Sequence, residues 1–262
     1  EAIKCHNNEV ANYYLNNFLQ TNKGANLRYL KYYNFIFLEE NCINESLLNN
    51  LCYYDYYLFV DILLKNGNID INERRKIGDD EITVLYSAIE KGNIEIVKLL
   101  LSHDKIDINI MNKKEKKIVK TFYWGDGNEI ITYNETALFL AVEKKNVEIV
   151  KILLENDKLD INKFSNKYLK EDGKRDEYRK IEEYDKTALY LAVEKQNAEI
   201  IRLLIDNDKI DLNIVNRNYK SYVEKTFGYE DESRYTAFYA AVAEKNTKII
   251  KLLQLFHFCN DK

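Results

Sequence analysis

The chain has 262 residues, room for one large domain or two, and a net charge of -4, a balance that argues against nucleic acid or an acidic membrane surface as partner. Its four cysteines, Cys5, Cys42, Cys52 and Cys259, show no Cys-x-x-Cys spacing, so a disulfide scaffold and a zinc site are both disfavoured and a reducing, cytoplasmic setting is expected. No apolar run has the length of a membrane-spanning helix, so membrane insertion is not expected.

In chain order, Ala2–Leu15 has the spacing of a stretch that returns at Ala141–Leu154, as though the chain opened inside a repeated unit. Residues 16–45 break that pattern. Leu27–Leu38 is apolar and aromatic enough to be buried and fits a helix or a strand, and a helical cap is expected there, because a stack of repeats must cover its last apolar face. Residues 1–45 are thus read as a degenerate half-repeat and cap, and 46–262 as the repeats themselves.

The unit is clearest from Thr136 to Asn162. Thr136 is a good N-cap for a first helix carrying Leu138, Ala141 and Val142 on one face and ending near Lys145-Asn146. The second helix carries Ile149, Val150, Ile152, Leu153 and Leu154, an arc too wide for one neighbour and suited to a helix wedged between two. Asn156 and Asp157 are expected to take the left-handed conformation that closes it. Copies start at Thr83, Thr187 and Thr236, and a worn one at Ser46, whose second helix is Phe59–Leu64 and whose end is Ile69–Asn72.

Five ordered matches to Thr-Pro-Leu-His-x-Ala, a glycine turn, Glu-Ile-Val-Lys-Leu-Leu-Leu and Asp-Val-Asn, across roughly residues 46 to 253, resemble the ankyrin repeat family. The helical leader with Asp-Ile-Asn endings is also similar to protist ankyrin proteins, most of them without assigned activity. The resemblance implies an all-α, right-handed solenoid of helix-turn-helix repeats, a non-enzymatic scaffold or adaptor. The chain departs from the family pattern in having no proline, in placing Tyr86, Phe139, Tyr190 and Tyr239 where the motif has His, and in keeping only Gly92 of the inter-helix glycines.

The period departs further. The family repeats every ~33 residues, whereas Thr83, Thr136, Thr187 and Thr236 lie 53, 51 and 49 apart. The extra residues fall in three insertions, 110–135, 163–186 and 214–235, expected as β-hairpin fingers on one edge of the solenoid. In the first, Lys117–Trp124 and Glu129–Tyr133 read as strands around a Gly125–Asn128 turn.

Finger aromatics Tyr123, Trp124, Tyr133, Tyr168, Tyr178, Tyr222 and Tyr229 are candidate partner-binding residues, since Tyr and Trp dominate interfaces, although the same rings also serve to pair across their own strands. Glu143, Lys144, Glu194 and Lys195, with Glu90 and Lys91, would line the concave face as a ladder of charges, or simply be a solvated helix face. The fingers carry five basic and four acidic, eight and seven, and four and four charges, so they form no basic stripe for nucleic acid.

The three histidines, His6, His103 and His257, share no face, and no glycine-rich phosphate loop appears, so no catalytic residue, cofactor or metal is expected. The partner is expected to be a protein, bound through the concave face and the fingers. Two alternatives remain. The family resemblance implies that Asn72, Asn109, Asn162 and Asn213 are possible substrates of an asparaginyl hydroxylase, against a purely structural role in the turn. The apolar end Leu252–Phe258 allows self-association or an oligomerisation role.

Overall fold

The computed structural model describes residues 48–49, 51–52, 57–66, 70–122, 125–172, 178–224 and 227–260. The expected half-repeat and cap at residues 1–45, and Tyr123 and Trp124, lie outside them.

Each repeat begins at its threonine. Thr83, Thr136, Thr187 and Thr236 sit in extended backbone and accept from the amides of Tyr86, Phe139, Tyr190 and Tyr239, three residues on. These caps start the first helices α2 (Val84–Lys91), α4 (Ala137–Glu143), α6 (Ala188–Glu194) and α8 (Ala237–Ala243). The second helices are α3 (Ile94–Leu101), α5 (Val147–Leu154), α7 (Ala198–Ile205) and α9 (Thr247–Asn260). Helix α1 (Tyr57–Asn66) is the second helix of the worn repeat.

First helices pack on first helices and second on second along the stack. The core is therefore a ribbon, with Leu85, Leu138 and Leu189 recurring between repeats and Ile96, Ile149 and Ile200 joining the two rows. Burying each such side chain contributes about 1.5–3 kcal/mol.

The helix-to-helix turn is where the family glycine matters. Gly92 has φ 75, and its counterparts Lys145, Gln196 and Lys245 take φ 55, 53 and 53. An L-residue pays about 1–2 kcal/mol for that conformation. Here the amides of Lys145 and Asn146 return to the carbonyls of Val142 and Ala141, which closes the helix end. The left-handed residue expected at Asn156 or Asp157 is instead in this turn; the second helix ends in a right-handed residue, Glu155, with Asn156 capping the amide of Lys158.

The all-α expectation is overturned. Among the described residues eight strands form one antiparallel sheet in chain order: β1 (Arg75–Ile77), β2 (Asp80–Ile82), β3 (Asn112–Phe122), β4 (Gly125–Glu135), β5 (Ser165–Asp172), β6 (Tyr178–Lys186), β7 (Asn216–Glu224) and β8 (Phe227–Tyr235). The reason is main-chain chemistry. A finger standing alone would leave the outer amides and carbonyls of both its strands unpaired within the protein, and neighbouring fingers, one repeat apart, satisfy them for each other. The β4–β5 pairing runs from Asn128↔Asp172 to Asn134↔Asn166, and β6–β7 from Tyr178↔Glu224 to Asp185↔Arg217.

The first finger also turns earlier than expected. Phe122 pairs with Gly125 and Lys120 with Gly127, so Gly125 and Gly127 belong to β4 and the chain reverses between Phe122 and Gly125.

Candidate functional site

Each finger is fastened to the repeat before it. Asn112 and Asn216, both buried, accept the main-chain N–H of Thr83 and Thr187 at 2.6 and 2.7 Å, and the Ser165 hydroxyl accepts that of Thr136 at 3.1 Å. All three latches lie 29 residues past their threonine, whatever the length of the finger. The variable period is thus confined to the finger that follows each latch. That constant offset is the sequence signal that would have revealed the latches, and it was missed.

A second row of fasteners lies beside the first, Asn109 and Asn162 standing three residues before Asn112 and Ser165, with Asn72 their counterpart one repeat earlier. Asn72, Asn109 and Asn162 donate their side-chain N–H to the carbonyls of Lys105, Lys158 and Lys209 and accept the amides of Asp107, Asp160 and Asp211, all between 2.7 and 3.0 Å. Each amide thereby joins two repeats with both of its ends. Asn213 donates its own backbone N–H to Asp211 and has an exposed side chain.

Anchored this way, the sheet turns one face toward the C-terminal ends of the first helices. Alternation along the strands puts Lys114, Tyr133, Lys167, Tyr184 and Lys186 on that face, and they make a row of stacked rings and cations. The Lys167 ammonium lies 5.7 Å from the Tyr133 ring and 5.8 Å from Tyr184; Lys186 lies 4.4 Å from Tyr184 and 5.4 Å from Tyr190. Lys186 also donates to both carboxylate oxygens of Glu194, at 2.8 and 2.9 Å, and Lys114 donates to Glu90.

The helix glutamates at 90 and 194 are thus drawn to finger lysines, forming a trough rather than a ladder along the helices alone. Glu143, Lys144 and Lys195 are exposed on its helical rim.

At the floor of the trough, the Tyr86 hydroxyl donates to Glu135 at 2.7 Å, and Glu135 is only 4% exposed. Burial pushes its carboxyl up to about 7 against the bond from Tyr86, which favours the charged form; nearby Glu143 adds to the rise. Burial likewise raises Tyr86 and Tyr184, with Glu135 adding to both. Glu135, Tyr184, Lys167 and Lys186 were not singled out from the sequence.

The candidate aromatics separate by face. Tyr133 and Tyr229 occupy positions on the trough side, with Tyr229 strongly exposed, whereas Tyr168 is on the far side; Tyr178 pairs with Glu224 and Tyr222 with Lys180 and Tyr229 through the backbone, and their side chains lie outside the described structure. On that far side Arg217 reaches Glu183 at 3.5 Å and Glu232 at 3.2 Å beside a cleft of about 450 Å³, lined by Phe164, Asn166, Asp185, Val215, Arg217 and Arg234. Among the described residues no three metal-binding side chains cluster and no helix is long and apolar enough to cross a membrane. His103 accepts the Lys105 amide in a turn, at 3.3 Å.

The paired helices, the Thr caps and the Asn fasteners recur in one order, and a family model described as ankyrin repeats (three copies) matches residues 2–112, 48–165, 108–216 and 167–261. The chain belongs to the ankyrin repeat family. The ankyrin repeat protein FPV222 of Fowlpox virus (strain NVSL) is 30% identical over 130 residues, covering 44% of this chain and 16% of that protein. This chain therefore spans a small part of that relative's length. The crystal structure of the ankyrin repeat domain of Bcl-3, a member of the IkappaB protein family, superposes with a TM-score of 0.50 at 16% identity, over 80% of this chain and 70% of that one, a likeness of fold. Ankyrin repeats as a class mediate contacts between proteins.

Proposed function

We propose that this ankyrin protein is a non-enzymatic adaptor that holds a protein partner in the trough between its first helices and the helix-side face of its finger sheet, the concave side of the solenoid. One observation carries the reading: Tyr133, Lys167, Tyr184 and Lys186 stand in a half-buried row on strands that are paired on both edges. Such a row offers wide aromatic contact at little ordering cost, because the sheet holds the backbone before the partner arrives. Its cations and carboxylates supply orientation and rate more than affinity.

The test is affinity capture from native lysate with the intact chain, with Tyr133→Ala plus Lys167→Ala, and with Tyr168→Ala as the opposite-face control. The trough variant should lose the captured protein, with a melting temperature within a few degrees of the parent, while the Tyr168 variant keeps it. Loss from the Tyr168 variant alone would move recognition to the far face.

A further inference from the structure

We infer that the partner held in the trough presents a basic side chain, lysine or arginine, to the repeat that begins at Thr136, where it pairs with Glu143 beside Glu135. The inference rests on the trough as the recognition surface and adds the chemistry of what is recognised there.

Three positions of each repeat meet where helix and finger join: the residue before the threonine, the glutamate seven after it and the finger residue thirty-one after it. In the repeat of Thr83 they are Ile82, Glu90 and Lys114; in that of Thr136, Glu135, Glu143 and Lys167; in that of Thr187, Lys186, Glu194 and Asn218. The outer two sets each hold one carboxylate and one cation, and the two are joined. Lys114 donates to Glu90, and Lys186 to both oxygens of Glu194 at 2.8 and 2.9 Å. The middle set holds two carboxylates and one cation, so it is one positive charge short.

The shortage is open to a partner. The position that brings Lys186 to Glu194 is occupied in the middle repeat by Glu135, which cannot serve Glu143. Lys167, the counterpart of Lys114, is drawn instead to Tyr133 and Tyr184, 5.7 and 5.8 Å from their rings. Among the described residues Glu143 therefore has no cation within ion-pair distance, and its side chain is exposed on the rim. Helix α4 packs between α2 and α6, so this opening is not an end of the stack. The flanking repeats show what a glutamate at this place binds, which is an ammonium arriving from the finger side. A carboxylate from the partner fits worse, because it would add a third negative charge to a set with one cation.

Glu135 registers the same shortage. It is bonded to Tyr86 and acted on by Glu90 of α2, Glu143 of α4 and Lys114 of β3, with Tyr184 of β6 near it and Lys167 of β5 diagonal to it. Burial holds its carboxyl up at about 7, against the bond from Tyr86, and Glu143 adds to the rise. Near neutrality a proton thus stands in for the missing cation. A partner cation at Glu143 favours the ionised form of Glu135 and displaces that proton, so binding should tighten as pH rises toward about 7 and level off above it.

The test uses N-acetyl-arginine methylamide as probe, with the uncharged N-acetyl-citrulline methylamide as control, titrated into the chain carrying carbon-13 at its glutamate carboxyls and read by NMR. The signals of Glu143 and Glu135 should move at lower arginine-probe concentration than those of Glu90 and Glu194, and the midpoint of Glu135 should fall below about 7. The citrulline probe should move neither, and in Glu143→Gln, an exposed exchange that leaves the melting temperature intact, the arginine probe should no longer shift the Glu135 midpoint. No response, an equal response at all four glutamates, or an equal response to both probes overturns the inference. Capture from native lysate separates it from the trough reading. A protein lost by Tyr133→Ala plus Lys167→Ala should also be lost by Glu143→Lys. If Glu143→Lys holds it undiminished, the trough stands and the basic side chain falls; capture that survives both variants removes the trough and the inference with it.

Discussion

The helical stack and the finger sheet are held together by different means. In the stack, side chains such as Leu153 and Ile149 are wholly buried and the repeats cohere through apolar contact. In the fingers, where side chains are described, the buried apolar residues are Ile131 and Leu169, and cohesion comes from the main-chain pairing that runs from β1 to β8. A surface fixed by its backbone leaves its side chains free to vary for recognition. A surface fixed by side-chain packing does not.

The largest expected effect breaks the stack. Leu153→Ala leaves a cavity among closely packed neighbours and should cost about 2–5 kcal/mol in chemical denaturation, whereas Tyr168→Ala on the sheet's far face should cost less than about 1 kcal/mol. Equal losses would mean that finger side chains carry stability after all.

Next in size is the joint between the two regions. Because the carboxyl of Glu135 titrates at about 7 in the folded chain and 4.5 is its ordinary value, the folded state holds the extra proton between those two values. Stability should therefore fall as pH rises from about 4.5 to about 7, and be flat in this respect outside that window. Glu135→Gln keeps an acceptor for Tyr86 and should remove the slope, raising stability at pH 8 by about 1–3 kcal/mol. Urea melts of both proteins at pH 5 and pH 8 read the difference directly.

The smallest effect sharpens the comparison in the turn between helices. Lys145→Gly relieves a left-handed lysine at the cost of a freer unfolded chain, and the net gain should be up to about 1 kcal/mol. A loss there would show that the lysine side chain contributes more than its backbone costs.

The stack was legible in the sequence because its signals are local. A threonine cap and a 3.6-residue apolar period each act within one repeat, and Thr136, Leu138 and Ile149 do what their spacing implies. The single sheet was not legible, because pairing Ile131 with Leu169 depends on the distance between neighbouring repeats, which no local pattern encodes. Gly125 and Gly127 looked like a turn for the same reason; the register with Phe122 and Lys120, set by β3, decides otherwise. The aromatic candidates were picked by residue type, and type does not say which face a strand residue takes. That is why Tyr133 and Tyr168 were grouped although the pleat sends them to opposite sides.

These two tyrosines also supply the most direct test of the adaptor reading. Benzoylphenylalanine would replace Tyr133 in one protein and Tyr168 in another, and each would be irradiated in native lysate. A partner held in the trough should be cross-linked at position 133 and not at 168. Cross-linking at 168 with none at 133 would contradict the trough as the recognition surface.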